Sequence, residues 1–281
     1  MTTTLCETFR SLAFRTFDQM GRARRVGHQP LEETFTDTNI LELKDRHPDE
    51  IYCRTFNKPE EGRNGADWEW WLSNYAMTSW LGLRVQAKVL HLGSDTFAHL
   101  HYKSGKSKAY QLAKLKREAA KEGLVPLYCF YSHEATTPRV SPRRCGSFAH
   151  APEAYGCALA TLTHIEKLQV AGDKRDYADV MGSALPWHCL VCCSAFGGDD
   201  LPTKAWRLLQ GRLEVKAPRS RRANGEALGR PPPVGIRTHA PDYVRAMIDG
   251  RTEDILPKRV GGVLVLRAKN PDQRESLHVR R

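Results

Sequence analysis

An α/β fold with a mixed central β-sheet flanked by helices is what this sequence predicts, and three features predict it. Two amphipathic helical stretches lead the chain, three segments with the two-residue period of strands follow, and a basic helix then separates those strands from a fourth. A helix placed between two strands of one sheet is the crossover that lets them run parallel. The chain has 281 residues, enough for one sizeable core or for one core with a smaller appendage.

Residues 4–25 form the first helix: Leu5, Phe9, Leu12, Ala13, Phe14 and Phe17 fall near one face, and no glycine or proline interrupts before Gly21. The second helix spans residues 31–46, with Pro48 just beyond its end. Strand-forming residues 51–56 come next, stopped by Pro59 and the turn-forming run 60–65. In the stretch 65–71, Asp67 and Glu69 share one face while Trp68 and Trp70 take the other. In the next strand Leu81, Leu83, Val85, Ala87 and Val89 make an apolar face, with Arg84, Gln86 and Lys88 opposite. A polar stretch, 93–105, leads to a helix over 107–122, where Tyr110, Leu112, Leu115 and Ala119 form the apolar stripe and Gly123 the C-cap. Residues 125–131 are the fourth strand. A further strand over 157–165, helices over 174–181 and 242–248, and a late strand at 263–266 that returns to the sheet complete the reading.

Charge divides the chain unevenly. Residues 1–200 hold 25 Lys or Arg against 24 Asp or Glu, whereas residues 201–281 hold 18 against 8. The expected organisation is one domain over 1–200 and a basic C-terminal extension over 201–281, extended or flexible around 216–235. Lys216, Arg219, Arg221 and Arg222 are its candidates for contacts to a phosphate backbone, which would be sensitive to salt and blind to sequence. No run of about 18 apolar residues is present to span a membrane. The first ten residues lack the apolar core of a signal peptide. The expected location is therefore the cytoplasm, and the eight cysteines are expected to be reduced. Cys189-x-x-Cys192 is half of a zinc site, with Cys145, His150, Cys157 and His164 upstream. It lacks a second tightly spaced pair, and its apolar neighbours favour buried free thiols.

Two adjoining strands would bring Asp67, Glu69, Gln86 and Lys88 to one face. Phosphodiester hydrolysis with a bound Mg²⁺ needs hard oxygen ligands for the ion and a cation near the phosphate. The carboxylates supply the first and Lys88 the second. The competing reading is a solvated sheet face, against which the dense tryptophans of the partner strand argue.

An acidic residue followed about twenty residues later by Gln-x-Lys on the next strand, ahead of a helix, resembles the PD-(D/E)xK restriction-endonuclease-like superfamily. The likeness is to its Gln-x-Lys branch, found in Mrr-like restriction enzymes and bacterial anti-phage defence nucleases, and it covers roughly residues 30–132. It implies a helix-strand-strand-strand-helix-strand core and a Mg²⁺ or Mn²⁺ cofactor. By the same resemblance Asp67 is the principal metal ligand, the carbonyl of Ala87 a further ligand, and Gln86 a second ligand or a water-positioning group. Lys88 is the catalytic lysine. A glutamate of the first core helix often joins the site, and Glu33 is the candidate, with Glu32 the near alternative. A glutamine of the following helix sometimes closes it, a place that Gln111 occupies. Glu69 is added as a ligand on same-face geometry alone. The implied activity is an endonuclease acting on DNA in preference to RNA, in restriction or phage defence. A homodimer could present two sites to two strands, and an activating partner is left open. The alternative is a nucleic-acid-binding protein that keeps the fold without cutting.

Overall fold

The computed structural model describes residues 3–55, 68–104, 109–134, 146–148, 151–193, 197–213, 215, 234–251 and 260–269. Helix α1 (Leu5–Arg25) starts at a capping box in which Thr4 and Glu7 satisfy each other's backbone N–H groups. Helix α2 is Glu32–Arg46, followed by strands β1 (Ile51–Thr55), β2 (Trp68–Ser73) and β3 (Trp80–Val89). A small hairpin, β4 (Lys103–Ser104) and β5 (Ala109–Tyr110), precedes helix α3 (Gln111–Glu122) and strand β6 (Val125–Tyr131). The pairing of Tyr110 with Lys103 takes the start of the helix expected at 107 into the hairpin. Gly123 ends α3 at a φ of 59°, a left-handed conformation that suits glycine.

Strand β7 (Cys157–Thr161) is shorter than the expected 157–165 because Thr161 is an N-cap: its hydroxyl accepts from the His164 N–H at 3.3 Å and begins helix α4 (Leu162–Val170). Helix α5 (Tyr177–Met181), strand β8 (Leu185–Pro186) and the single-turn helix α6 (Cys189–Cys192) follow. Helix α7 (Leu201–Arg212) lies in the part of the chain read as a basic extension. Asp200 caps it, and Ala205, Leu208 and Leu209 are buried in the core. Strand β9 (Ile236–Arg237), helix α8 (Asp242–Ile248) and strand β10 (Gly262–Arg267) complete the described elements.

The main sheet has the order β1-β10-β2-β3-β6-β7-β8, with β9 on the first residues of β3. Strands β3 and β6 are parallel, as the α3 crossover implies, while β2 runs antiparallel to β3. The late strand does return to the sheet. It enters between β1 and β2, antiparallel to the first and parallel to the second. Gly262 makes this possible, since a Cβ there would stand 2.3 Å from the ring of Trp68.

Register separates two buried faces. Trp68, Trp70 and Leu72 sit opposite Val85, Leu83 and Leu81 and join the core cluster that includes residues of α1, α2 and α7. Trp71, Trp80, Val263 and Val265 form a second cluster with Ala119 and Leu124 of the α3 end and Val244 of α8. The tryptophans are therefore core, as expected. Burying one such ring removes about 150–250 Å² from water, which favours folding by about 4–6 kcal/mol before entropy is counted. The solvated-face reading of β3 fails: Arg84, Gln86 and Lys88 are 3%, 0% and 5% exposed.

One expectation about the cysteines is corrected. Cys6 in the first turn of α1 is bonded to Cys192 of α6, so this pair is not reduced. The sequence weighs only cysteine density, whereas folding brings together residues 186 apart. The same bond takes Cys192 out of the zinc reading, and among the described residues no group of three or more His, Cys, Asp or Glu could hold a metal ion. Among them, too, no helix is long and apolar enough to cross a membrane.

Candidate functional site

The carboxyl ends of the parallel strands β3 and β6 are where two helices begin, and four side chains meet there. Lys88 and Gln86 come from β3, Glu32 from the first residue of α2, and Gln111 from the first residue of α3. Period-two alternation puts Gln86 and Lys88 on the same face of the strand as Arg84. The Gln111 Nε2 donates to Gln86 Oε1 at 2.8 Å, and Gln86 Nε2 donates to the carbonyl of Ala87 at 3.2 Å. The Lys88 ammonium lies 3.6 Å from Glu32 Oε2, its ion-pair partner among the described residues.

Several contacts fix α2 in place for that pairing. Gln29 donates to the Leu90 carbonyl at 3.2 Å and accepts from the Leu92 N–H at 2.8 Å, tying the loop before α2 to the chain leaving β3. Arg24, near the end of α1, donates to the Leu92 carbonyl at 2.7 Å and pairs with Asp95 at 2.6 Å. The Thr36 hydroxyl bonds both the Glu32 carbonyl and the Tyr131 hydroxyl at the end of β6. On the other side the Gln111 N–H donates to the Tyr102 carbonyl at 2.9 Å, which joins α3 to the β4–β5 hairpin.

Neither α2 nor α3 has a side-chain cap at its N-terminus, where Leu31 and Tyr110 stand, in contrast to α1, α4 and α7. Two helix N-termini with their partial positive charge thus face the end of the strand that carries a buried lysine. A place with these features favours an anion.

The predicted site residues divide into three groups. Gln86, Lys88 and Gln111 are brought together as expected, and the Ala87 carbonyl lies among them. Glu33 is corrected to Glu32: Glu33 is exposed, whereas Glu32 reaches Lys88. Adjacent helical residues point about 100° apart, so only one of the two can face the sheet. Asp67, together with Lys216, Arg219, Arg221 and Arg222, lies outside the described residues. Trp68, the next residue after Asp67, pairs with Val85, the neighbour of Gln86.

Glu69 is corrected as well. It does share the face of Arg84, but its carboxylate is 1% exposed and engaged elsewhere. Arg84 Nη1 lies 3.3 Å from one oxygen, and the other accepts from the Tyr243 hydroxyl at 2.5 Å and from the Trp71 ring N–H at 3.4 Å. Burial raises its pKa, and Arg84, Tyr243 and Trp71 oppose that rise. This carboxylate anchors α8 to the sheet and is not offered to a metal ion. Tyr243 carries no motif in the sequence that would announce the contact, because its partner lies 174 residues away.

A hard divalent ion takes oxygen donors. The Glu32 carboxylate and the Ala87 carbonyl are of that kind. They do not amount to a metal group by themselves.

These features define a class: an α/β protein with a lysine–glutamine site at the carboxyl end of a parallel strand pair. Residues 5–272 match the model of DUF6615, a family of unknown function, and the chain belongs to that family. No curated protein and no solved structure matches it.

Proposed function

We propose that the chain is a metal-dependent nuclease with a restriction-endonuclease-like core, acting first on DNA. The observation that carries this reading is the meeting of Lys88, Gln86, Gln111 and Glu32 at one strand end, beside two uncapped helix N-termini. The element order from α2 through β6 supports it. So does Lys88, a buried cation whose ion pair among the described residues is with Glu32, since a buried ammonium is the kind of donor that suits a phosphate oxygen.

In this reading Asp67, Glu32 and the Ala87 carbonyl hold Mg²⁺ or Mn²⁺. The bound ion would polarise the phosphoryl oxygen and make water a better nucleophile. Lys88 offsets the charge that builds on the phosphoryl oxygens. The Gln86–Gln111 pair presents amide hydrogen-bonding groups that orient a water or a substrate oxygen, and Gln111 keeps the Gln86 carboxamide from turning.

The test is cleavage of duplex DNA, single-stranded DNA and RNA with Mg²⁺ or Mn²⁺ and with chelator. Lys88→Ala should lower the rate by about 100-fold or more, the range for losing one charge-stabilising group, while circular dichroism stays that of the native chain. Calorimetric titration with Mn²⁺ should lose its binding signal in Asp67→Asn. Undiminished cleavage by Lys88→Ala would remove the site from the reaction. A second reading, binding without cleavage, is favoured by the neutral Gln86 where a carboxylate would serve a metal better. It predicts DNA binding that is indifferent to chelator and no cleavage under any metal.

A further inference from the structure

We propose that the rim of this site grips unpaired nucleobases, so that the strand presented to Lys88 is single-stranded; the inference rests on the nuclease reading above. Two large apolar side chains stand exposed at the rim. Leu31, the residue before Glu32, is 66% exposed, and Tyr102 is 53% exposed.

Single exposed apolar residues are ordinary on a protein surface. These two are set apart by what they adjoin. Leu31 is the N-cap residue of the helix whose first side chain pairs with Lys88. The carbonyl of Tyr102 is bonded to the N–H of Gln111, whose side chain holds Gln86. One rim residue therefore adjoins each of the two helix starts at the site: Leu31 in sequence at α2, and Tyr102 through its backbone hydrogen bond at α3.

The surroundings of Tyr102 suit a strand of nucleic acid. Its ring meets His99 edge-on, with centroids 6.4 Å apart, which steadies one edge and leaves the rest of the ring to solvent. Lys103 follows it, exposed, with its ammonium 4.8 Å from the centre of the Tyr110 ring. An exposed ring and an exposed cation on successive residues, next to a phosphate-seeking site, are the groups by which proteins hold single strands: a ring stacks on a base and a cation meets the backbone. A duplex keeps its base faces stacked on one another and has none to offer. The exposed Leu31 at the start of α2 offers a further apolar contact to an unpaired base.

The experiment is binding of short fluorescent oligonucleotides by the full chain in chelator, so that nothing is cut, with single-stranded DNA, single-stranded RNA and duplex DNA as separate arms. A 2-aminopurine in the strand reports stacking. The wild type should bind a single strand more tightly than the duplex. Tyr102→Ala should weaken single-strand binding by about tenfold or more, the order expected for one lost base–aromatic stack, and abolish the 2-aminopurine quench. Tyr102→Phe should retain both. The DNA and RNA arms distinguish the two sources of an unpaired base. Equal binding by the wild type and Tyr102→Ala, alongside intact cleavage, overturns the rim and leaves the nuclease standing. A wild-type chain that binds no nucleic acid overturns both.

Discussion

His188 offers a direct test of how burial sets stability against pH. It is 2% exposed, and among the described residues neither ring nitrogen has a hydrogen-bond partner. Phe148 meets its ring edge-on at 5.9 Å, and the Arg10 guanidinium lies 3.7 Å over that same Phe148 ring. Burial, helped by the charge of Arg10, pushes the imidazole pKa from 6.5 down to about 4. A depressed folded-state pKa contributes stability that is present above the unfolded value and lost as the pH falls through the folded one. From pH 6.5 to about 4, at about 1.4 kcal/mol per pH unit, the loss reaches roughly 3 kcal/mol. That is a large share of the total stability of a domain. The perturbation is His188→Phe, which removes the titrating group and keeps a ring of similar size. Urea midpoints measured from pH 7 to pH 4 should fall more steeply for the wild type than for the variant, by that amount at the acid end. Parallel profiles for the two proteins would refute the reasoning, because carboxylates elsewhere are common to both.

Two further outcomes follow from the buried contacts. Tyr243→Phe should cost about 1.5–3 kcal/mol in urea unfolding, since it takes a hydrogen bond from the buried Glu69 carboxylate; the proposed cleavage, measured per folded molecule, should be unchanged, and its loss at constant fold would return Glu69 to the proposed site. Cys192→Ser should lower stability by about 2–5 kcal/mol, the range for a lost native disulfide, and a reductant should lower the wild type to the same midpoint while leaving the variant where it is.

Much of the fold is legible in local pattern, and much of the site with it. Alternation in β2 and β3 places Glu69, Arg84, Gln86 and Lys88 on one face, and the α3 crossover gives the parallel pairing of β3 with β6. Lys88 and Gln86 can be found because they alternate on one recognisable strand, whereas Gln111 is suggested only by the resemblance to the restriction-endonuclease-like superfamily. What local pattern does not carry is the partner of a buried polar group. Nothing near Glu69 in the sequence indicates that Arg84 and Tyr243 occupy its oxygens. The choice between Glu32 and Glu33 turns on a helix boundary placed to the single residue, which periodicity does not resolve. Helix α7 is obscured for another reason: its basic residues count toward a net charge that suggests an extension, while Ala205, Leu208 and Leu209 hold it to the core.

The insertion of β10 between β1 and β2 bears on how the chain is made. A ribosome delivers β1, β2 and β3 long before Gly262 appears, so the nascent sheet has a gap beside its tryptophan-rich strand. Until β10 arrives, β1 and β2 each carry an unsatisfied edge, the kind of surface that pairs with other chains and needs protection. The sheet next to the candidate site can therefore close only once residues 262–267 have been made, however early β1, β2 and β3 form.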